Sequence, residues 1–232
     1  MYNLVKLFYK SLIDKKISYS YGGIDSLVNY IFKEKKKGFY VDIGCGHPIK
    51  NNNTYLLYKK GWHGINADLS PKSIELFNYA RKRDVNINIA IADKKGQADL
   101  FYYHDMSSIN TIDKKTSNYQ KAEVKKVINI PTDTLNSVIE NSPSGNVEIN
   151  FMSIDVEGSE LNALKNFNLL KYSPKILVVE CLDLKLSKLE IKNLNIEYVL
   201  KSEIYKLIIS KNYTFVNWLH SDLVFAHKDF KD

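Results

Sequence analysis

The sequence predicts an α/β fold built on a doubly wound, mostly parallel sheet, with an antiparallel hairpin at its C-terminal edge. Short apolar runs recur along the chain, and each of the first five ends on a polar or acidic residue, a cysteine or a glycine. Apolar runs separated by helical patterns are typical of parallel strands joined by crossover helices. The last two runs are separated by only three residues, which indicates a hairpin.

The predicted elements divide the chain into a helical extension, residues 1–37, and one domain, residues 38–232. The extension is predicted to be helical because apolar residues from Ile24 to Ile31 recur at the spacing of one buried helix face. Seven strands are predicted, at residues 39–44, 63–68, 87–93, 149–155, 175–181, 213–219 and 223–227.

The first sixteen residues place Leu4, Phe8 and Leu12 on one side of a helix, among lysines. Such a face can lie on a membrane surface. Packing on the protein's own sheet or on a partner subunit is the favoured alternative, so the N-terminal helices are a candidate surface for a homo-oligomer.

Composition favours a soluble cytoplasmic protein. The 33 Lys and Arg residues against 26 Asp and Glu residues give a net charge of +7, but the lysines are spread along the chain, so no nucleic acid partner is expected. Cys45 and Cys181 lack the spacing of metal ligands and indicate thiols in a reducing compartment. No run is long enough for a signal peptide core or a membrane span.

The stretch FYVDIGCGHP, residues 39–48, places Gly44, Cys45 and Gly46 where the first strand turns towards a helix. Glycines at this turn let the backbone approach a ligand at the carboxyl ends of the strands. A valine at Gly44 is therefore expected to block the ligand without unfolding the sheet. The third glycine of a dinucleotide-binding fingerprint is missing, which weakens the alternative of an oxidoreductase with the same fold.

Three acids on successive strands suit an adenosine-containing ligand. Asp68 ends the second strand, where a carboxylate can accept hydrogen bonds from both ribose hydroxyls. Asp93 ends the third and can meet an adenine amino group. Asp42 precedes the glycines, where a carboxylate suits an ammonium or a sulfonium.

The sequence resembles the FkbM family of S-adenosylmethionine-dependent methyltransferases. The resemblance spans roughly residues 38–228 and rests on FYVDIGCGHP, on the following NNNTYLLYKKGWHGINADLSP and, above all, on FMSIDVEGSELNALKNFNLLKYSPKILVVE. It implies a class I methyltransferase fold with seven strands in the order 3-2-1-4-5-7-6, and usually O-methylation of a sugar or another hydroxyl-bearing small molecule. Family members often carry a lysine where this chain has Ser153, and frequently a glutamate where it has Asp68.

The residues that follow the glycine turn supply further candidates. Asn53 or Thr54 is expected to donate to the methionine carboxylate of the cofactor near a helix start, with plain helix capping as the alternative. His47, in the same turn, is a candidate contact for the methyl acceptor.

Methyl transfer from a sulfonium requires an aligned acceptor oxygen and removal of its proton. Asp155 ends the fourth strand, Glu157 follows two residues later and His104 lies in a long insertion, so these three are the candidate bases. Glu180, at the end of the fifth strand, is a candidate substrate or metal contact. Alternatively, a carboxylate here can hold a divalent cation that lowers the pKa of the acceptor hydroxyl. The alternative for Glu157 is a structural role, in which its charge only stabilises the N-terminus of the helix that follows.

The acceptor favoured by the sequence is a nucleotide-linked sugar of a surface glycan. Residues 101–126 and 182–203, which are predicted to shape its pocket, carry many lysines and tyrosines. A nucleic-acid methyltransferase is the alternative, but the chain has no N/D-P-P-Y motif and no Pro-Cys pair. A noncatalytic adenosine-binding module is a further alternative.

Overall fold

The computed structural model describes residues 17–143, 147–181 and 196–230. The predicted apolar face of the first sixteen residues lies outside these ranges. So does the segment 182–195, which is most of the second region predicted to shape the acceptor pocket.

The main sheet confirms the predicted fold. Its strands are β1 (Phe39–Ile43), β2 (His63–Asp68), β3 (Val85–Asn88), β7 (Phe151–Ile154), β8 (Ile176–Glu180), β9 (Tyr213–Leu219) and β10 (Asp222–His227). They lie in the order β3-β2-β1-β7-β8-β10-β9, which is 3-2-1-4-5-7-6 when these seven are counted along the chain. The first five are parallel, and β10 is antiparallel to both β8 and β9.

Helices cover both faces of this sheet. They are α1 (Ile24–Ile31), α2 (Tyr55–Lys59), α3 (Pro71–Ala80), α4 (Lys114–Tyr119), α5 (Leu135–Glu140), α6 (Glu160–Lys165), α7 (Leu169–Tyr172), α8 (Ile196–Lys201) and α9 (Glu203–Ile209). Successive side chains of β1 face two separate cores, because Val41 packs in the core that contains Leu164 whereas Tyr40 packs in the one that contains Val28. Strands buried on both faces therefore appear in the sequence as continuous apolar runs.

Helix α1 confirms the predicted covering helix. Ile24 and Val28 are fully buried against the sheet. The side chain of Asp25 is also buried, and it accepts hydrogen bonds from the Ser18 hydroxyl and the Tyr19 backbone N–H, both at 2.6 Å. The chain before α1 is thereby fastened to the helix that packs on the main core.

A second sheet was not predicted. It contains β4 (Ala90–Ile91), β5 (Gly96–Tyr102) and β6 (Lys126–Asp133), in the order β4-β6-β5. The prediction of one strand over residues 87–93 is wrong, because the chain leaves the main sheet after Asn88 and pairs with β6 from Ala90 onwards. Only one residue of β5 and one of β6 are buried, so neither strand appears in the sequence as an apolar run.

The predicted C-terminal hairpin is confirmed. Strands β9 and β10 pair antiparallel, with an irregularity between Val224 and Phe225, and β10 fits between β9 and the parallel part of the sheet. Among the helices in the described ranges, none has the length and apolar character that crossing a membrane requires.

Candidate active site

A cavity of about 730 Å³ opens at the carboxyl ends of β1, β2, β7 and β8. Ten of the predicted site residues line it: Gly44, Cys45, Gly46, His47, Asn53, Asp68, His104, Asp155, Glu157 and Glu180. Three others, Asp42, Thr54 and Asp93, are absent from its wall. The sheet topology explains why these residues lie together, because neighbouring parallel strands bring their carboxyl ends to one edge of the sheet.

The glycine turn is shaped by two residues with positive φ. Gly44 has φ +74° and donates its N–H to the Ala67 carbonyl at 2.8 Å. A Cβ atom at Gly44 would lie 1.6 Å from the Asp155 carbonyl oxygen, so this glycine lets β1 and β7 end in contact. The expectation that a valine there spares the sheet is therefore wrong. Gly46 has φ +60° and no atom closer than 4.0 Å to a Cβ position, so it borders open space.

Asp68 ties the glycine turn to the end of β2. One carboxylate oxygen accepts the Gly46 N–H at 2.8 Å, and the other accepts the Ser70 N–H at 2.7 Å. Burial raises the pKa of this carboxyl to about 6, against the two backbone donors, and the charges of Asp42 and Asp155 raise it further. A carboxylate offers about four lone-pair positions, so each oxygen retains acceptor capacity towards the cavity.

A buried arginine behind the glycine turn escaped the sequence predictions. The Arg81 side chain is fully buried, donates from Nε to the Pro48 carbonyl at 2.9 Å and from Nη1 to Thr54 Oγ1 at 2.9 Å, and also donates to Asn52 Oδ1. Its Nη1 lies 3.7 Å from Asp84 Oδ2, and both side chains are fully buried. Nothing in the local sequence separates Arg81 from the other basic residues of "ARKRD".

Asp42 and Thr54 belong to the same buried network. Thr54 Oγ1 donates to Asp42 Oδ2 at 2.8 Å, and Asn52 Nδ2 donates to the same oxygen at 3.1 Å and to the Cys45 carbonyl at 3.1 Å. Thr54 is fully buried and Asp42 is 4% exposed. Burial raises the pKa of Asp42. The structure thus places both residues behind the cavity wall, where they position the glycine turn.

The remaining predicted cofactor residues differ in position. Asn53 lines the cavity and donates from Nδ2 to Ser153 Oγ at 3.0 Å, which joins the turn to β7. Asp93 lies beyond β4 instead of at the end of a main-sheet strand, and its backbone carbonyl accepts a bond from Asn166 Nδ2. Residues 89–91 form the cavity wall there and are apolar.

His47 and His104 line the cavity from two different loops. His47 Nδ1 accepts the backbone N–H groups of Ile49 and Lys50, both at 3.1 Å, and burial lowers its pKa. His104 is exposed, and its Nδ1 lies 3.0 Å from the Asp105 carbonyl oxygen. Neither ring contacts the acidic side chains in the hydrogen bonds described.

The acidic loop after β7 has a strained backbone. Glu157 has φ +54°, a conformation that costs a non-glycine residue about 1–3 kcal/mol. Glu160 Oε1 accepts the N–H groups of Val156 at 2.9 Å and of Gly158 at 3.1 Å, and so fixes the loop. Glu160 is 3% exposed and holds the turn that presents Glu157 to the cavity.

The insertion that contains α4 packs against the acidic loop and hydrogen-bonds to it. Thr111 Oγ1 donates to the Glu157 carbonyl at 2.8 Å. A Cβ atom at Gly158 would lie 1.9 Å from Thr116 Oγ1, so α4 packs directly on the loop backbone. The insertion therefore both supplies His104 to the cavity and holds Glu157 in place.

Five carboxyl groups meet at the ends of β7, β8 and β10. Asp155, Glu160 and Glu180 each offer an oxygen within 4.8 Å of the others. Asp222, which pairs with Glu180 across β10 and β8, also lines the cavity. Burial is the main reason that the pKa of each of these carboxyls is raised, and the charges of nearby acids raise it further. At Asp155 a hydrogen bond with Glu180 acts in the opposite direction. For Glu157 the pKa is about 9.

The fold and the site together define a class I methyltransferase architecture, with the cavity at the carboxyl ends of the central strands. The family model described as the methyltransferase FkbM domain matches residues 42–215. The chain therefore belongs to the FkbM family and is an S-adenosylmethionine-dependent methyltransferase. This membership sets aside the oxidoreductase and noncatalytic alternatives.

A crystal structure of a TehB-like SAM-dependent methyltransferase from Corynebacterium glutamicum ATCC 13032 Kitasato has a TM-score of 0.45 and 11% sequence identity, with 97% of each chain covered. No curated protein matches the sequence significantly.

Proposed function

We propose that the protein transfers a methyl group from S-adenosylmethionine to a hydroxyl of a small molecule, with a nucleotide-linked sugar of a surface glycan as the favoured acceptor. The observation that carries this proposal is the division of one cavity between Asp68 at the end of β2 and several acids at the ends of β7 and β8. These strands lie two and three positions from β2 in the sheet, so the two groups are separated by roughly 10–14 Å.

The residues around the glycine turn fit the cofactor. Asp68 retains acceptor positions for the ribose hydroxyls, and Gly46 leaves space for close approach of a ligand to the backbone. Asn53 can donate to a carboxylate, and the apolar residues 89–91 can pack on an adenine ring. The volume of about 730 Å³ lies within the usual range for such ligands.

S-adenosylmethionine supplies, when bound, a methyl group that leaves its sulfonium sulfur as a new bond to the acceptor oxygen forms. The chain has to orient that oxygen and receive its proton. In its ionised form Glu157 is the favoured residue for the proton, because it lines the cavity and its backbone is held by Glu160 and Thr111. Its raised pKa of about 9 makes the ionised carboxylate a stronger base. Asp155, beside it, and His104, from the insertion, are the alternatives.

A sugar that carries phosphates suits the remaining cavity wall. Lys50 offers a positive charge, and Tyr21, Ser107, Ser108 and His220 offer hydrogen-bonding groups. The chain's net charge of +7 favours an anionic small molecule over a neutral one. A cytoplasmic location is part of the proposal. The proposal also includes association of copies of this chain through their N-terminal residues.

Methyl transfer to a panel of nucleotide-linked sugars tests the proposal. With cofactor labelled in the methyl group, we expect label in an O-methyl group of at least one sugar, identified by NMR. Glu157→Gln should lower turnover by about 10²- to 10⁴-fold, the usual contribution of a positioned base. Label transferred to nitrogen or carbon, or to DNA or RNA in place of any sugar, would contradict the proposal.

A further inference from the structure

Two buried oxygen atoms at the acidic end of the cavity receive no hydrogen bond from an N–H or O–H group of the described residues. These atoms are Asp155 Oδ1 and Glu180 Oε2, and both are shielded from solvent. Glu180 is 7% exposed, so its carboxyl group is more than nine-tenths buried. Asp155 and Glu180 are within hydrogen-bonding distance of each other, a contact that two ionised carboxylates cannot make without a shared proton. Buried carboxylates are costly unless they are paired or bound to a metal.

Among the described residues, the charged side chains that act on Glu180 are acidic: Asp155, Glu157, Glu160 and Asp222. A bound cation would let these carboxylates ionise together.

The spacing of the oxygens suits one hard divalent cation. Asp155, Glu160 and Glu180 each offer an oxygen, and these atoms lie within 4.8 Å of one another. Oxygens on opposite sides of Ca²⁺ are about 4.6–5.2 Å apart, and those around Mg²⁺ at most about 4.2 Å apart. One Glu160 oxygen already accepts two backbone N–H groups, which orients that carboxylate as hydrogen bonds orient metal ligands generally.

We infer that Asp155, Glu160 and Glu180 form a binding site for one divalent cation of the Mg²⁺, Mn²⁺ or Ca²⁺ type. Three carboxylates leave coordination positions for water and for an oxygen of the acceptor. The inference rests on the proposed function only where the cation acts on that oxygen: it lowers the pKa of the hydroxyl, and Glu157, which is not one of the three ligands, receives the proton.

Binding of Mn²⁺ alone tests the site without any acceptor. Electron paramagnetic resonance of the wild-type protein should show one bound Mn²⁺, displaced by excess Mg²⁺ or Ca²⁺. Glu180→Gln and Asp155→Asn should each weaken Mn²⁺ binding by at least about tenfold. Glu148→Gln, a change at an exposed acid near the opposite end of β7, is the matched control and should bind as the wild type does.

Thermal unfolding provides the second measurement. Mn²⁺ should raise the melting temperature of the wild type but not of Glu180→Gln, because only a site in the native state stabilises it. The inference is wrong if the wild type binds no Mn²⁺ at millimolar concentration, or if all four proteins bind it equally. If methyl transfer is insensitive to a chelator and Mn²⁺ does not bind, the cation site is refuted and the proposed function stands. If Mn²⁺ binds but no methyl group is transferred to a hydroxyl, the cation site stands and the proposed function is refuted.

Discussion

Arg81 and Asp84 form a fully buried ion pair behind the glycine turn, with Arg81 Nη1 3.7 Å from Asp84 Oδ2. The same guanidinium donates to the Pro48 carbonyl and to Thr54 Oγ1, and so it connects the pair to the chain that follows the glycines. The glycine turn that borders the proposed cofactor site is consequently held in place by Arg81 and Asp84, which do not line the cavity.

Arg81→Ala should therefore destabilise the protein. Removing one member of a buried ion pair usually costs about 3–5 kcal/mol, because the partner is left uncompensated. Denaturant unfolding should show a loss of that size. Arg83→Ala is the matched control, since Arg83 is exposed and contacts only Tyr58 among the interactions described, so it should cost no more than about 1 kcal/mol. Equal losses for the two variants would refute the role assigned to Arg81.

The two glycines of the turn should respond differently to alanine. Gly44→Ala places a Cβ atom 1.6 Å from the Asp155 carbonyl oxygen, so we expect severe destabilisation. At Gly46 the nearest atom is 4.0 Å away, so alanine should cost only the penalty of its positive φ, about 1–2 kcal/mol, and should weaken cofactor binding. Thermal melts and titrations with S-adenosylhomocysteine separate these effects. The reverse order of stability would contradict the geometry of the turn.

Cofactor affinity should depend on pH through Asp68. Its pKa is about 6 in the free protein, and ribose hydroxyls that donate to the carboxylate would lower that pKa in the complex. The complex then binds fewer protons than the free protein, so affinity for S-adenosylhomocysteine should fall, by at most tenfold per pH unit, as pH decreases below about 6. Asp68→Asn should remove this dependence; an unchanged pH profile in that variant would show that another group titrates.

The same pKa has the opposite effect on the stability of the free protein. The Asp68 carboxyl titrates at about 6 when folded and at 3.8 as a model compound, so the native state binds more protons between these pH values. Asp68 alone thus lowers the free energy of unfolding as pH rises through this window.

Glu157→Gly should stabilise the protein while abolishing most activity. Glycine adopts a positive φ such as the +54° at this position without strain. Denaturant unfolding should therefore show a free energy of unfolding up to about 1 kcal/mol higher than that of the wild type. Glu157→Gln keeps the Cβ atom and should leave the strain in place. If glycine is no more stable than glutamine here, the strain assigned to this residue is absent.

The main sheet was predictable because its strands are buried on both faces. Residues such as those of β8, buried along the whole strand, leave a continuous apolar run in the sequence. Strand β6 has only one well-buried residue, Thr132, and leaves no such signal. The second sheet therefore had to come from the structure.

The site was predictable only where strand ends mark it. Asp68, Asp155 and Glu180 each lie at or directly after the end of a parallel strand, and all three line the cavity. Asp222 joins them through the pairing of β10 with β8, which is a long-range contact that local sequence does not encode. Arg81 reaches Pro48 across 33 positions of the chain, which no local pattern reveals either.

Calorimetric titration of S-adenosylhomocysteine into the wild type, Asp68→Asn and Glu157→Gln tests the division of the cavity most directly. Asp68→Asn should lose about 1.5–3 kcal/mol of binding free energy, the usual value for hydrogen bonds to a charged group. Glu157→Gln changes a residue at the acceptor end, so its affinity should stay within about twofold of the wild type, a difference of about 0.4 kcal/mol. Wild-type affinity in a folded Asp68→Asn variant, or a large loss in Glu157→Gln, would contradict the account.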